Sequence, residues 1–200
     1  MHFAHAGALL PLIALFSTLL AVPLAAQKGL CLRGGPADRC RAFLVTEFTS
    51  GPGLPTASRR PPWVNDWEFG AMRNTGARSA VGITAVVNYD EDERAFVGAR
   101  PRYRRWLSRS TAVDVSGGIL FPWNQHAKDQ DSPLISLRAG IMWKDLFGIS
   151  AGLERMRVGA GPFRRTETTL VAGLRFGSYA GIPMGGLMIG LIRWAQSISD

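Results

Sequence analysis

The chain has 200 residues, with 23 basic and 15 acidic side chains, a formal net charge of +8, and only three lysines among the basic residues. An arginine-rich excess would suit a nucleic-acid-binding protein, but these arginines are spread through alternating apolar segments and do not cluster on one helix. The spread argues against a nucleic-acid partner and favours anionic lipid headgroups as the counter-charge.

The N-terminal segment, residues 1–26, is predicted to be a signal peptide. Residues 8–22 are almost wholly apolar, and Leu24, Ala25 and Ala26 offer a cleavage site of mostly small residues. The apolar stretch lies near the lower length limit for a membrane helix, so a single-span anchor is the alternative interpretation. We expect export.

The mature chain is predicted to begin with a loop segment, residues 27–39, that carries the first of two cysteines. Cys31 and Cys40 bracket eight residues that include glycine and proline. In the oxidising compartment that export implies, the two are predicted to form a disulfide. A zinc site is the alternative, but it lacks a nearby histidine or further cysteine, so we predict no metal site.

Residues 40–177 are predicted to form one β-domain, because apolar and polar residues alternate with a period of two. In segment 79–89, for example, Val81 and Ile83 fall on one face and Thr84 on the other. Tight connections alternate with longer ones, which predicts an all-β, antiparallel, up-and-down β-barrel. The pattern places eight strands, at 40–49, 66–74, 79–89, 93–105, 111–121, 133–143, 146–157 and 166–177.

The C-terminal segment, residues 178–200, is a separate apolar stretch. Residues 185–192 are apolar on every face, which suits either a short helix packed at one barrel mouth or a ninth strand. We favour the helix. The ninth strand remains the alternative, and it would change the topology.

The composition of the polar face distinguishes two kinds of barrel, in which the apolar face points in opposite directions. A soluble, lipocalin-like barrel turns its apolar face inward, whereas a membrane barrel turns that face to lipid. Strands two to eight each carry glycine on the polar face, which would weaken a solvated strand by about 0.5–1 kcal/mol but leaves room for charged side chains in a narrow lumen. We therefore predict a charge-paired interior containing Glu68, Arg100, Arg102, Asp114, Arg138, Glu154 and Arg175.

Aromatic residues near the strand ends are expected to form girdles at the two membrane interfaces, and they are Trp67, Tyr89, Tyr103, Phe121, Trp143, Phe147 and Phe176. With its export signal, size, alternation, strand count and loop asymmetry, the chain over residues 40–177 resembles the small eight-stranded outer-membrane barrels of the OmpA/OmpX type. The resemblance is architectural. It implies an outer-membrane protein surrounded by lipid, with both termini on the periplasmic side, and we expect a monomer.

Polar loops offer few candidates for chemistry. His126 is the one candidate catalytic residue, because Ser132 and two aspartates follow it in a loop, as in lipid-modifying barrel enzymes. The spacing of residues in a polar loop does not predict that His126 lies within hydrogen-bond reach of a nucleophile, so a solvated histidine is the favoured interpretation. The acidic run 90–93 lacks the spacing of a calcium loop. The arginine pairs 59–60 and 164–165 could contact lipopolysaccharide phosphates.

The leading interpretation is a non-enzymatic outer-membrane barrel with a filled, charge-paired interior and a structural or surface-interaction role. Eight strands enclose a lumen that side chains can fill, so we do not expect a diffusion pore. No cofactor is predicted. The alternatives are a lipid-modifying barrel enzyme and a soluble periplasmic ligand-binding barrel of the lipocalin kind.

Overall fold

A computed structural model describes residues 30–55, 62–91, 94–124, 132–158 and 165–177, together with Gly181 and Pro183. Within these ranges the elements are all strands: β1 (Leu30–Cys31), β2 (Ala42–Pro55), β3 (Trp63–Gly76), β4 (Ser79–Asp90), β5 (Ala95–Trp106), β6 (Thr111–Pro122), β7 (Leu134–Trp143), β8 (Phe147–Val158) and β9 (Arg165–Phe176). The described residues include no helix with the length and hydropathy to cross a membrane. The predicted signal peptide and nearly all of the segment 178–200 lie outside the described residues.

Strands β2 to β9 form a closed antiparallel barrel. Each strand pairs with its neighbours in chain order, and β2 also pairs with β9 through a register that includes Phe48 opposite Phe176. The short β1 adds to β2 in parallel, with Leu30 opposite Ala42. The predicted all-β, eight-stranded, antiparallel barrel is therefore confirmed.

The connections differ at the two ends of the barrel. At one end, here called the turn end, lie the connections 77–78, 107–110 and 144–146, together with the start of β2 and the end of β9. At the other, the loop end, lie 56–62, 91–94, 123–133 and 159–164. The 144–146 turn places Lys144 and Asp145 at φ values of 51° and 53°, the left-handed region that a type I′ hairpin turn requires.

The first two barrel strands are longer than the sequence predicts. The predicted ends at 49 and 66 left a loop rich in glycine and proline, but the antiparallel ladder continues through Gly51 opposite Val64 and Pro52 opposite Trp63. Proline lacks the N–H that a central ladder needs. The ladder between β2 and β9 is interrupted between Ser50 and Gly53, which accommodates Pro52.

The barrel buries its polar face and exposes its apolar face. Arg100 and Arg104 on β5 are 0% exposed, whereas Ile149 on the outer surface of β8 is 62% exposed. Soluble barrels have the opposite arrangement, and membrane barrels have this one. Other exposed apolar residues on the outer face are Val81, Ile83, Val87, Val115, Ile119, Ile135, Leu137, Ile141, Leu153, Leu170 and Leu174.

Buried side chains form three layers along the barrel axis. An apolar cluster near the turn end consists of Phe43, Val45, Met72, Ala80, Trp106 and Ala112. A second cluster, near the loop end, consists of Val86, Phe96, Leu120, Leu134 and Met156. Most of the buried charged side chains occupy the space between them, so these charges lie in a layer that apolar side chains flank on both sides.

Candidate functional site

Two carboxylates organise the half of the charged layer nearer the turn end. The Glu47 carboxylate on β2 accepts hydrogen bonds from Arg102 at 2.9 Å, from Arg104 at 2.9 Å and from the Nε–H of Arg175 at 2.7 Å. Asp114 on β6 lies 2.7 Å from Arg104, 3.0 Å from Arg102 and 3.5 Å from Arg175. Three guanidinium groups therefore share two carboxylates, and all five residues are buried.

The other half of the layer is built around Asp66 on β3. Asp66 lies 3.2 Å from Arg100 and 2.5 Å from Arg138, and its Oδ1 accepts the Asn88 amide at 2.8 Å. Arg138 also pairs with Glu154 at 2.6 Å. Arg100 donates in addition to the Ser136 hydroxyl at 2.7 Å, so the partners of each ion come from several strands.

Glu68 joins the two halves into one network. Its carboxylate lies 2.9 Å from Arg100 and 3.6 Å from Arg102, and it accepts a hydrogen bond from the Thr84 hydroxyl at 2.9 Å. The layer thus contains five arginines and five carboxylates. A buried charge with no partner costs several kcal/mol, and the equal numbers of the two signs give every charge in this layer an opposite charge that offsets part of its desolvation.

Alternation and small residues position these side chains. Arg100, Arg102 and Arg104 occupy every second position of β5 and therefore all point inward. Elsewhere in the barrel, a Cβ at Gly152 on β8 would lie 3.0 Å from Cδ of Arg138, and one at Gly140 on β7 would lie 2.9 Å from a guanidinium nitrogen of Arg175. At these two positions, glycine leaves the volume that an arginine side chain occupies.

The structure places all seven charged residues of the predicted network in the interior, and it adds four that the prediction lacks. Arg104 continues the β5 alternation, so that pattern alone could have identified it. Glu47 and Asp66 occupy inward positions of β2 and β3, in the same alternating series as Val45 and Glu68, so their strands carry the signal as well. Asp145 has no such signal, because it reaches the interior from a turn, where its carboxylate lies 2.5 Å from Arg104.

The predicted aromatic residues all lie on the outward face. Trp143, Phe147 and Phe176 are neighbours across three strands near the turn end, where Tyr103 is also exposed. Tyr89 and Phe121 lie near the loop end, and Trp67 lies in the loop-side half of β3, beside Phe69 at 5.2 Å between ring centroids. Two further exposed rings at the loop end, Trp63 and Trp123, were missed because they fall in predicted loops.

The loop between β1 and β2, residues 32–41 and here called the N-terminal loop, covers the turn-end mouth. The disulfide between Cys31 and Cys40 closes it. The Gly34 N–H donates to the Asp145 carboxylate at 2.7 Å, and the Asn74 side-chain amide donates to the Gly35 carbonyl at 2.8 Å. Through Asp145 the loop is connected to the charged layer.

Several loop candidates lie outside the described residues, namely His126, Arg59, Arg60 and Arg164. Ser132 is described, and its hydroxyl donates to the Arg157 carbonyl at 3.2 Å and accepts the Arg157 N–H at 2.9 Å. Asp90 of the acidic run pairs with Arg94 at 2.7 Å. Within the described ranges, no group of histidine, cysteine and acidic residues is arranged to hold a metal ion.

Comparison with known proteins gives one structural similarity. No protein family and no curated protein matches the sequence. A solved structure described as "De novo design of transmembrane beta-barrels" is similar over 72% of this chain and 98% of that chain, with 10% sequence identity and a TM-score of 0.41. The architecture itself is defined by the closed ladder and the two faces described above.

Proposed function

We propose that the protein is an outer-membrane β-barrel with a filled interior and a structural or surface-interaction role. The observation that carries this proposal is the distribution of the two faces: the apolar face is outside and a balanced ionic layer is inside. The outward-facing apolar side chains form a band around the barrel, here called the apolar band, and contact with lipid makes its exposure favourable. The aromatic rings near both ends of the barrel suit the two membrane interfaces.

A soluble ligand-binding barrel would need the reverse arrangement. Monomeric soluble proteins rarely expose contiguous apolar patches larger than about a few hundred Å². Here the apolar outer face continues from strand to strand, for example through Leu137, Leu153 and Leu170, which are direct neighbours on β7, β8 and β9. The interior also offers a charged layer where such a barrel would hold an apolar ligand.

The filled interior argues against a role in diffusion. Arginine and carboxylate side chains cross the lumen, apolar clusters flank them, and the N-terminal loop covers the turn-end mouth. Closure of the barrel leaves no free edge on β3 to β9 for pairing with a second copy, so we expect a monomer.

Lipid is the expected partner on the outer face, and lipopolysaccharide phosphates are the expected partner at the loop end. Arg155, Arg157 and Arg165 are exposed there. Arginine presents a planar group of donors that matches the oxygens of a phosphate. In the orientation usual for bacterial outer-membrane barrels, long loops face outward and short turns face the periplasm.

Membrane fractionation tests this proposal. Cells expressing the full chain are lysed, and the membranes are washed with carbonate in the absence of detergent. We expect the protein to stay in the pellet and to migrate faster on gels before boiling than after it, as a folded barrel does. Release into the soluble fraction by the wash, without a heat-dependent shift, would support the soluble alternative.

A further inference from the structure

The net positive charge of the protein is concentrated at the turn end. The interior layer with Asp145 holds one more carboxylate than guanidinium group, so it contributes none of the excess. Among the described residues at the turn end, Asp38 is the one exposed acidic residue. The exposed basic residues there, here called the basic ring, are Arg33, Arg39, Arg41, Arg73, Arg78, Arg105, Arg109 and Lys144.

The loop end has no such excess. Among the described residues, its exposed charged side chains are those of Arg155, Arg157, Arg165 and Glu91, and Asp90 and Arg94 form a buried pair. In sequence, the connecting segments 56–61, 92–93, 125–131 and 159–164 contain four basic and four acidic residues, which cancel. The asymmetry therefore belongs to the surface that carries the short turns.

A groove of about 340 Å³ opens within the basic ring. Its walls come from the N-terminal loop with Asp38, the β3–β4 turn with Arg78, and the β5–β6 turn with Ser108 and Arg109. The described residues include no carboxylate in an ion pair with Arg78 or Arg109, so both guanidinium groups remain available to a ligand. Trp106 forms part of the groove wall and donates inward to Asn74.

The basic ring borders the apolar band directly. On the outer face Arg73 lies opposite Val81, and Val81 lies opposite the exposed Tyr103. Arg105 lies opposite Val113. Guanidinium groups at this height meet the headgroup layer of any membrane that covers the apolar band, where each basic residue adds to the attraction for anionic lipid.

We propose that this groove binds the headgroup of an anionic phospholipid, with Arg78 and Arg109 holding the phosphate. The inference rests on the proposed membrane function and adds a lipid partner at the turn end. Two guanidinium groups on separate turns offer paired donors to phosphate oxygens. The Asp38 carboxylate accepts a hydroxyl of the headgroup, which makes phosphatidylglycerol the suitable probe.

Spin-labelled lipids test the proposal in the reconstituted full barrel. The protein is inserted into phosphatidylcholine vesicles with labelled phosphatidylglycerol, phosphatidylethanolamine or phosphatidylcholine as the probe. We expect association with phosphatidylglycerol to be the strongest. The double variant Arg78→Gln/Arg109→Gln is expected to reduce the preference for phosphatidylglycerol over phosphatidylcholine by about fivefold or more.

The matched control is Arg33→Gln/Arg39→Gln, which removes the same charge from the basic ring but not from the groove wall, and it is expected to keep most of the preference. Equal losses in both variants, or an equal or stronger association with phosphatidylethanolamine, would overturn the proposal. A motionally restricted component from every labelled lipid reports insertion itself. If that component is present without a phosphatidylglycerol preference, only the lipid site fails. If it is absent for all lipids, the proposed membrane function fails.

Discussion

Replacing Glu47 with glutamine is expected to lower the free energy of unfolding by about 3–5 kcal/mol, the usual cost of removing one partner from a buried ionic network. Glu47 is 2% exposed and its two oxygens accept Arg102, Arg104 and Arg175. The neutral amide keeps the shape of the side chain but leaves three buried cations with one fewer anion. Urea unfolding in detergent micelles, followed by the heat-dependent gel shift, measures the change.

The control for this variant is Glu91→Gln, which removes the same charge from an exposed side chain at the loop end. Because ion pairs of exposed carboxylates contribute about 0–1 kcal/mol to the free energy of unfolding, the urea midpoint of this variant should stay near that of the unsubstituted protein. If the two variants unfold at the same urea concentration, the ionic layer does not stabilise the barrel as described.

Replacing Leu137 with arginine is expected to destabilise the membrane-inserted barrel by about 2–4 kcal/mol, the cost of a basic side chain on the lipid face near the bilayer midplane. Leu137 is 54% exposed and lies in the interior of β7, three residues from its loop end. Folding into phosphatidylcholine vesicles at graded urea concentrations measures the change.

Leu54→Arg is the matched control for that substitution. Leu54 is 56% exposed and lies one residue before the loop end of β2, so an arginine there can reach the headgroup layer. We expect a cost of about 0–1 kcal/mol. A soluble barrel, with water on this face, would tolerate both substitutions equally, so equal and small effects would contradict the lipid-facing assignment.

Period-two alternation made most of the barrel predictable from the sequence. Successive side chains of a strand point to opposite faces. Once one residue of β5, such as Arg100, is assigned to the interior, the face of all the remaining β5 side chains is known. The glycines of the polar face then indicated an interior that charged side chains fill. The strand count and the interior position of seven charged residues follow from these two local patterns.

Non-local geometry was the part that the sequence did not predict. The extension of β2 past Gly51 and Pro52 depends on ladder pairs with β3, and both residue types favour turns in isolation. Asp145 enters the network because a tight turn and the N-terminal loop meet at the barrel mouth. Neither contact leaves a periodic signal in the sequence.

The central claim is that the odd-numbered face of β7 lies against lipid. Its most direct test is a nitroxide scan at positions 135, 137, 139, 141 and 143 in the reconstituted protein, since the described cysteines are held in a disulfide and do not compete for the label. We predict that collisions with oxygen exceed those with a water-soluble nickel chelate at the middle positions, with the largest ratio at 139. Greater accessibility to the nickel chelate at all five positions would contradict the claim.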